Sequence, residues 1–257
     1  LNGAMDIPLA GMLLAIGFGT YFQTVTGFGL GMIALGAASG LGLMPIASAA
    51  VVVSLLTLCN SPLVLSGNFR HVDWRAVGSV LLGMVPTTLV GVVALDYLSR
   101  SGVVLLQFLL GAVIAASCAV MAIRPSRRET ASAASGFLAA GSVAGLLGGM
   151  FGFSGPPLIF HLYRQPLELT VVRSTLIMLF TCSAVIRLVF VGLQGGFTVE
   201  IWELFAWSVP VVVLATLAGR RYPPPLRPVK IRRIAFFVVA LIGAGLMASA
   251  LTSLGAA

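Results

Sequence analysis

Six segments of this chain, 45–65, 76–95, 103–123, 169–193, 202–219 and 234–254, are nearly unbroken runs of apolar residues. Crossing the hydrocarbon of a bilayer takes about 20 helical residues, so each run reads as a membrane span. Continuous rather than alternating hydrophobicity selects helices over the strands of a barrel. The separators are polar or turn-rich, and one holds Pro223-Pro224-Pro225, through which no helix continues. With 59% apolar and 9% charged residues, against about 25% charged in soluble domains, the chain is not a soluble enzyme, a disordered segment or a disulfide-stapled module. Cys59, Cys118 and Cys182 lie in apolar runs without metal-ligand spacing, so they read as free thiols. No metal or cofactor is expected. The run at 7–22 follows Asp6 rather than a basic stretch, and so reads as part of the membrane domain, not a secretory leader.

Two further apolar runs, 7–44 and 135–163, are too long for one span and are interrupted. The first is broken by Thr26-Gly27-Phe28-Gly29-Leu30-Gly31, the second by Gly148-Gly149-Met150-Phe151-Gly152-Phe153-Ser154-Gly155-Pro156-Pro157. Clustered glycine and a Pro-Pro pair predict two short helices flanking irregular backbone in each. Lipid does not tolerate such backbone unless protein or a watery cavity surrounds it.

The breaks also mark a repeat. Gln23-x-x-Thr26-Gly27-Phe28-Gly29 aligns with Gly149-x-x-Gly152-Phe153-Ser154-Gly155, Trp74 answers Trp202, and Pro86 answers Pro210. The expected fold class is an all-α polytopic membrane protein of two inverted repeats. The first is 1–123, a broken segment and three spans. A linker at 124–133 leads to the second, 134–257, of the same build. Charge sets the direction of each broken segment, because cytoplasmic loops collect Lys and Arg. If each returns the chain to the side it came from, segments 67–75, 124–132, 164–173 and 220–233 share one side. Thirteen of the fifteen Lys and Arg then stand there with three acidic residues, while the other face has Arg100 and four acidic residues. Single crossings would move Arg124, Arg127 and Arg128 to the opposite side and segregate the charge less well. The expectation is a multi-pass protein of the bacterial cytoplasmic membrane, with both termini outside and 124–133 in the cytoplasm.

Helix N-termini present unpaired N–H groups and partial positive charge, which favour anions. The restarts near Gly29 and Gly155 are therefore expected to hold a small anion. Their glycines would admit close backbone approach and a positive φ. Gln23, Thr24, Thr26, Gly27 and Phe28 are assigned to one side of that site, and Gly152, Phe153 and Ser154 to the other. The Gly141, Gly145 and Gly149 series reads instead as a helix-packing seam. Arg187 lies inside the 169–193 span, where a cation costs at least about 2.5 kcal/mol, and joins the site as its charged member. Asn60, also within a span, serves either as interhelical glue or as a site residue, and His161 either packs or carries a proton. No Asp or Glu falls in a span interior, which argues against a cation substrate or a carboxylate relay.

At the two breaks, residues 23–31 and 145–157, the sequence resembles the TauE/SafE family of sulfite and organosulfonate permeases, and the length and repeat match along the whole chain. The resemblance implies a secondary transporter moving sulfite, a sulfonate or a related small organic anion. An anion channel is the alternative, as is a non-transporting membrane scaffold whose basic segment 220–233 binds anionic lipid headgroups. The net charge of +8 is explained by loop flanks and implies no nucleic-acid partner; a homodimer is compatible with the pattern.

Overall fold

The structure is a computed structural model that describes residues 3–122, 128–222 and 228–255. Among these the chain forms ten α-helices: α1 (Gly3–Thr26), α2 (Leu30–Gly40), α3 (Ile46–Leu65), α4 (Trp74–Ser101), α5 (Val103–Ala122), α6 (Ala134–Phe151), α7 (Gly155–Tyr163), α8 (Leu169–Leu193), α9 (Val199–Arg221) and α10 (Pro228–Gly255). No strand occurs among the described residues. Six of the helices are long and apolar enough to cross a membrane: α1 from Leu9, α3, α4, α6, α8 and α9. The linker residues 124–127 and the proline run at 223–225 lie outside the described residues.

Local chemistry sets the boundaries. The carboxylate of Asp73 accepts the N–H groups of Arg75 and Ala76, both at 3.1 Å, so α4 begins at Trp74 rather than at 76. α8 occupies the expected span without adjustment. The broken segments differ from expectation in one respect. Each joins a long arm to a short one, α1 of 24 residues to α2 of 11, and α6 of 18 to α7 of 9. The long arms carry enough uninterrupted apolar sequence to run through the bundle before the glycines stop them.

The neighbour pattern reads the same from either half. α4 packs on α6 as α1 packs on α9; α3 lies on α9 as α8 lies on α4; α10 meets α2 as α5 meets α7. α3 against α8, and α5 against α10, pair helices at equivalent places in the two halves. The α4–α6 contact is the glycine seam. A methyl group at Gly141, Gly145 or Gly149 would overlap the carbonyl oxygen of Val80, Met84 or Thr88 respectively. Those three glycines let two backbones touch, which is their packing role.

Hydrogen bonds gather four connecting segments at one end of the bundle. Asp73 N–H donates to Thr175 Oγ1 at 3.0 Å, Arg128 N–H to the Arg164 carbonyl at 2.8 Å, and Ser132 N–H to Gln165 Oε1 at 2.8 Å. Arg220 donates to Ser66 Oγ at 3.1 Å and to the Leu63 carbonyl. α3 runs from the opposite end to this one, so α2, which precedes it, starts inside the bundle and ends opposite the basic cluster.

Candidate functional site

Both breaks open onto one cavity of about 30 Å³. From the first come Gln23, Phe28, Gly29, Gly31 and Met32; from the second come Gly152, Phe153, Ser154 and Gly155. The wall is completed by Val53 and Thr57 of α3 and by Phe180 and Ser183 of α8. The volume suffices for a water or two.

The first break is a turn only glycine makes easily. Gly27 and Gly29 have φ of 90° and 125°, outside the range that side chains with a Cβ adopt. The carbonyls of Phe22 and Phe28 both lie 2.9 Å from Thr26 Oγ1 and share its single proton, which is thereby committed to backbone. Gln23 Oε1 accepts the N–H of Leu30, the first residue of α2, at 3.3 Å. The next two amides, on Gly31 and Met32, belong to the first helical turn, which has no intrahelical acceptors. Both residues line the cavity.

The second break is chemically different. α6 ends on Gly152 in the left-handed conformation, φ 69°, with its N–H on the Gly148 carbonyl at 2.9 Å. Positive φ therefore falls on Gly152 and not on Gly155, as the sequence had suggested. Gly155 opens α7 in ordinary helical geometry, followed by Pro156 and Pro157, which have no N–H to offer. Donors are supplied instead by hydroxyls: Ser154 Oγ and Ser183 Oγ share a hydrogen bond, and both serines are buried. The two breaks also touch, since a Cβ at Gly31 would lie 2.6 Å from that of Phe153.

Several expected members stand elsewhere. Thr24 donates to the Thr20 carbonyl at 2.9 Å and faces a separate cavity near Arg173 and Arg220. Asn60 Oδ1 accepts from Thr216 Oγ1 at 2.9 Å, joining α3 to α9 outside the central cavity. His161 packs edge-on against Phe137, with ring centroids 4.6 Å apart, at the basic end of the bundle. Arg187 is 1% exposed; its Nε–H donates to the Gly149 carbonyl at 3.0 Å, and its NH1 has no partner. It lines a different cavity, of about 140 Å³, with Asp96, Gln194 and Thr198 at the end away from the basic cluster. Thr57, Phe180 and Ser183 were not foreseen, because they reach the breaks only through the packing of α3 and α8.

A membrane-spanning helical bundle whose broken helices meet at a small polar cavity has the build of a membrane transport protein. Residues 12–246 match the family described as sulfite exporter TauE/SafE, and the chain belongs to that family. It is 49% identical, over 98% of its length and 99% of the relative's, to the probable sulfite/organosulfonate exporter TauE of Cupriavidus necator. It is also 30% identical to the probable inner membrane transporter protein TsaS of Comamonas testosteroni, over 70% of this chain and 73% of that one. No solved structure matches the chain.

Proposed function

We propose that the chain is a secondary transporter that carries a small sulfur oxyanion or sulfonate across the bacterial cytoplasmic membrane, binding it between the two helix breaks by alternating access. The observation that carries this reading is the convergence of both breaks on one cavity furnished with helix-start amides and the paired hydroxyls of Ser154 and Ser183, with no carboxylate among its described lining residues. Such a surface supplies donors to an oxyanion, while Phe28, Phe153 and Phe180 offer apolar contact to an organic tail. The cavity is smaller than a sulfonate, so binding requires the breaks to part. A relative named as a probable exporter of sulfite and organosulfonates supports the same ligand class, and one named as a probable inner membrane transporter supports transport.

The matching neighbour pattern of the two halves supports inverted repeats, and the gathering of basic segments at one end supports a cytoplasmic location for that end. The test is ligand-induced stabilisation of purified protein by sulfite, sulfoacetate, taurine, sulfate and acetate, paired with uptake into proteoliposomes. Sulfite or sulfoacetate should raise the melting temperature and be transported saturably, and Ser183→Val should lose both. Stabilisation by none of the sulfur anions, or ohmic conductance in a planar bilayer, would overturn the reading.

A further inference from the structure

A cavity of about 440 Å³ opens at the basic end of the bundle, lined by Thr24, Asn68, Thr170, Arg173, Ser174 and Arg220 among others. We propose that it is a second anion site, a vestibule in which Arg173 and Arg220 hold an oxyanion on its way to or from the central cavity. The inference rests on the transport reading above and extends it to a residue that the sequence placed among loop charges.

Three observations carry the assignment. The first is charge. Among the described residues two guanidinium groups line this cavity, and no carboxylate does. The cavity beside Arg75 contains Asp73, and the one beside Arg187 contains Asp96. The second is an unmet hydrogen bond. Arg173 Nε is buried without a partner, and no ion pair of Arg173 occurs among the described residues. Arg220, by contrast, is tethered by its bonds to Ser66 and to the Leu63 carbonyl, which hold its guanidinium at the wall. The third is position. The Arg173 stem lies on the first break, where a Cβ at Gly27 would stand 3.2 Å from Arg173 Cγ. Thr24 of the same break lines the vestibule, and its neighbour Gln23 lines the central cavity, so one turn of α1 borders both.

Guanidinium is the fitting group, because its planar fork pairs two N–H donors with two oxygens of a sulfite, sulfonate or phosphate. Ser174 and Thr170 add hydroxyls at the same wall. The same chemistry would suit a lipid phosphate headgroup; the assignment is to a soluble anion, because the vestibule adjoins the break.

The test is equilibrium binding of radiolabelled sulfite to the full chain in nanodiscs of zwitterionic lipid, at low and high ionic strength. Wild type should bind two sulfite ions per chain, one of them weakened about tenfold by the higher salt as expected for a solvent-facing pair of cations. Arg173→Gln should lose that salt-sensitive ion, and Arg173→Lys should keep it with lower affinity. Ser183→Val should retain it while losing the other. The proposal fails if wild type binds one sulfite per chain, or if Arg173→Gln with a wild-type melting curve keeps the salt-sensitive ion. It also fails if phosphatidylglycerol in the disc displaces that ion, since the vestibule would then hold a headgroup. Sulfite uptake with single-ion binding would sink this inference and leave the transport reading standing. Two-ion binding without uptake would do the reverse.

Discussion

Arg187 donates its Nε–H to the carbonyl of Gly149, three residues before the left-handed Gly152 that ends α6. A cation at a helix C-terminus is favourably placed against the helix dipole, so Arg187 holds the second break from outside the cavity that Ser183 of the same helix lines. The same helix touches the first break through Arg173, fourteen residues earlier, which puts both arginines on one face of α8. Each break is thus in contact with one arginine of a single helix.

That arrangement predicts a split between stability and transport at Arg187. Burying its charge costs at least about 2.5 kcal/mol, while the hydrogen bond to Gly149 returns about 1.5–3 kcal/mol. Arg187→Leu should therefore melt close to wild type in a thermal-unfolding scan yet lose uptake. Arg187→Lys, which cannot reproduce the Nε geometry, should fold and transport at a tenth of the wild-type rate or less. Wild-type uptake by Arg187→Leu would show that the residue serves packing alone.

The contact between the breaks offers a double-mutant test. Gly31→Ala forces a methyl group against the Phe153 Cβ and should lower stability by the roughly 1–3 kcal/mol typical of overpacking, with a lower melting temperature and less uptake. Adding Phe153→Gly, which removes the Cβ that the new methyl group meets at 2.6 Å, should recover part of the melting temperature lost by the Gly31→Ala chain. Additive losses in the double variant would mean that the two breaks do not press on each other.

Glycine substitutions should sort by backbone conformation. Gly152 has positive φ, and a Cβ there would lie 2.6 Å from the Ala50 carbonyl oxygen. Gly155 has neither constraint; a Cβ would meet the flexible Ile159 Cδ1 at 3.2 Å. Gly152→Ala should therefore fail to accumulate as a monodisperse species by size-exclusion chromatography, while Gly155→Ala should. The reverse order would contradict the turn described here.

Sidedness is open to chemical labelling. Single cysteines replacing exposed Thr130 and Tyr222, in a chain lacking Cys59, Cys118 and Cys182, should resist an impermeant thiol reagent in intact cells. A cysteine at Leu193, 81% exposed at the other end, should react. Reaction at Thr130 without reaction at Tyr222 would break the parity that places both on the cytoplasmic side.

Much of the architecture is written locally. An apolar run of 25 residues between Glu168 and Gln194 becomes α8 with the same limits, and the glycines of 27–29 and 152–155 end helices where helices end. The candidate site is legible only in part. Thr26 carries the expected hydroxyl, but no pattern in sequence says that its proton is spent on Phe22 and Phe28. Ser183 reads as one small residue in a long span until α8 packs beside the second break and brings it to Ser154. Arg173, five residues past Glu168, reads as a loop charge because sequence gives depth along a helix and not what stands across from it.

The unpaired state of Arg187 has an electrical meaning. Among the described residues it has no ion pair, and its NH1 has no hydrogen-bond partner. If the chain is the carrier proposed above, a monovalent anion beside Ser183, one turn of α8 from Arg187, would offset the arginine's charge, and the empty carrier would keep it inside the membrane. Moving such a charge across the full potential is worth about 2.3 kcal/mol per 100 mV. Voltage would then act on the return of the empty carrier far more than on the passage of the anion.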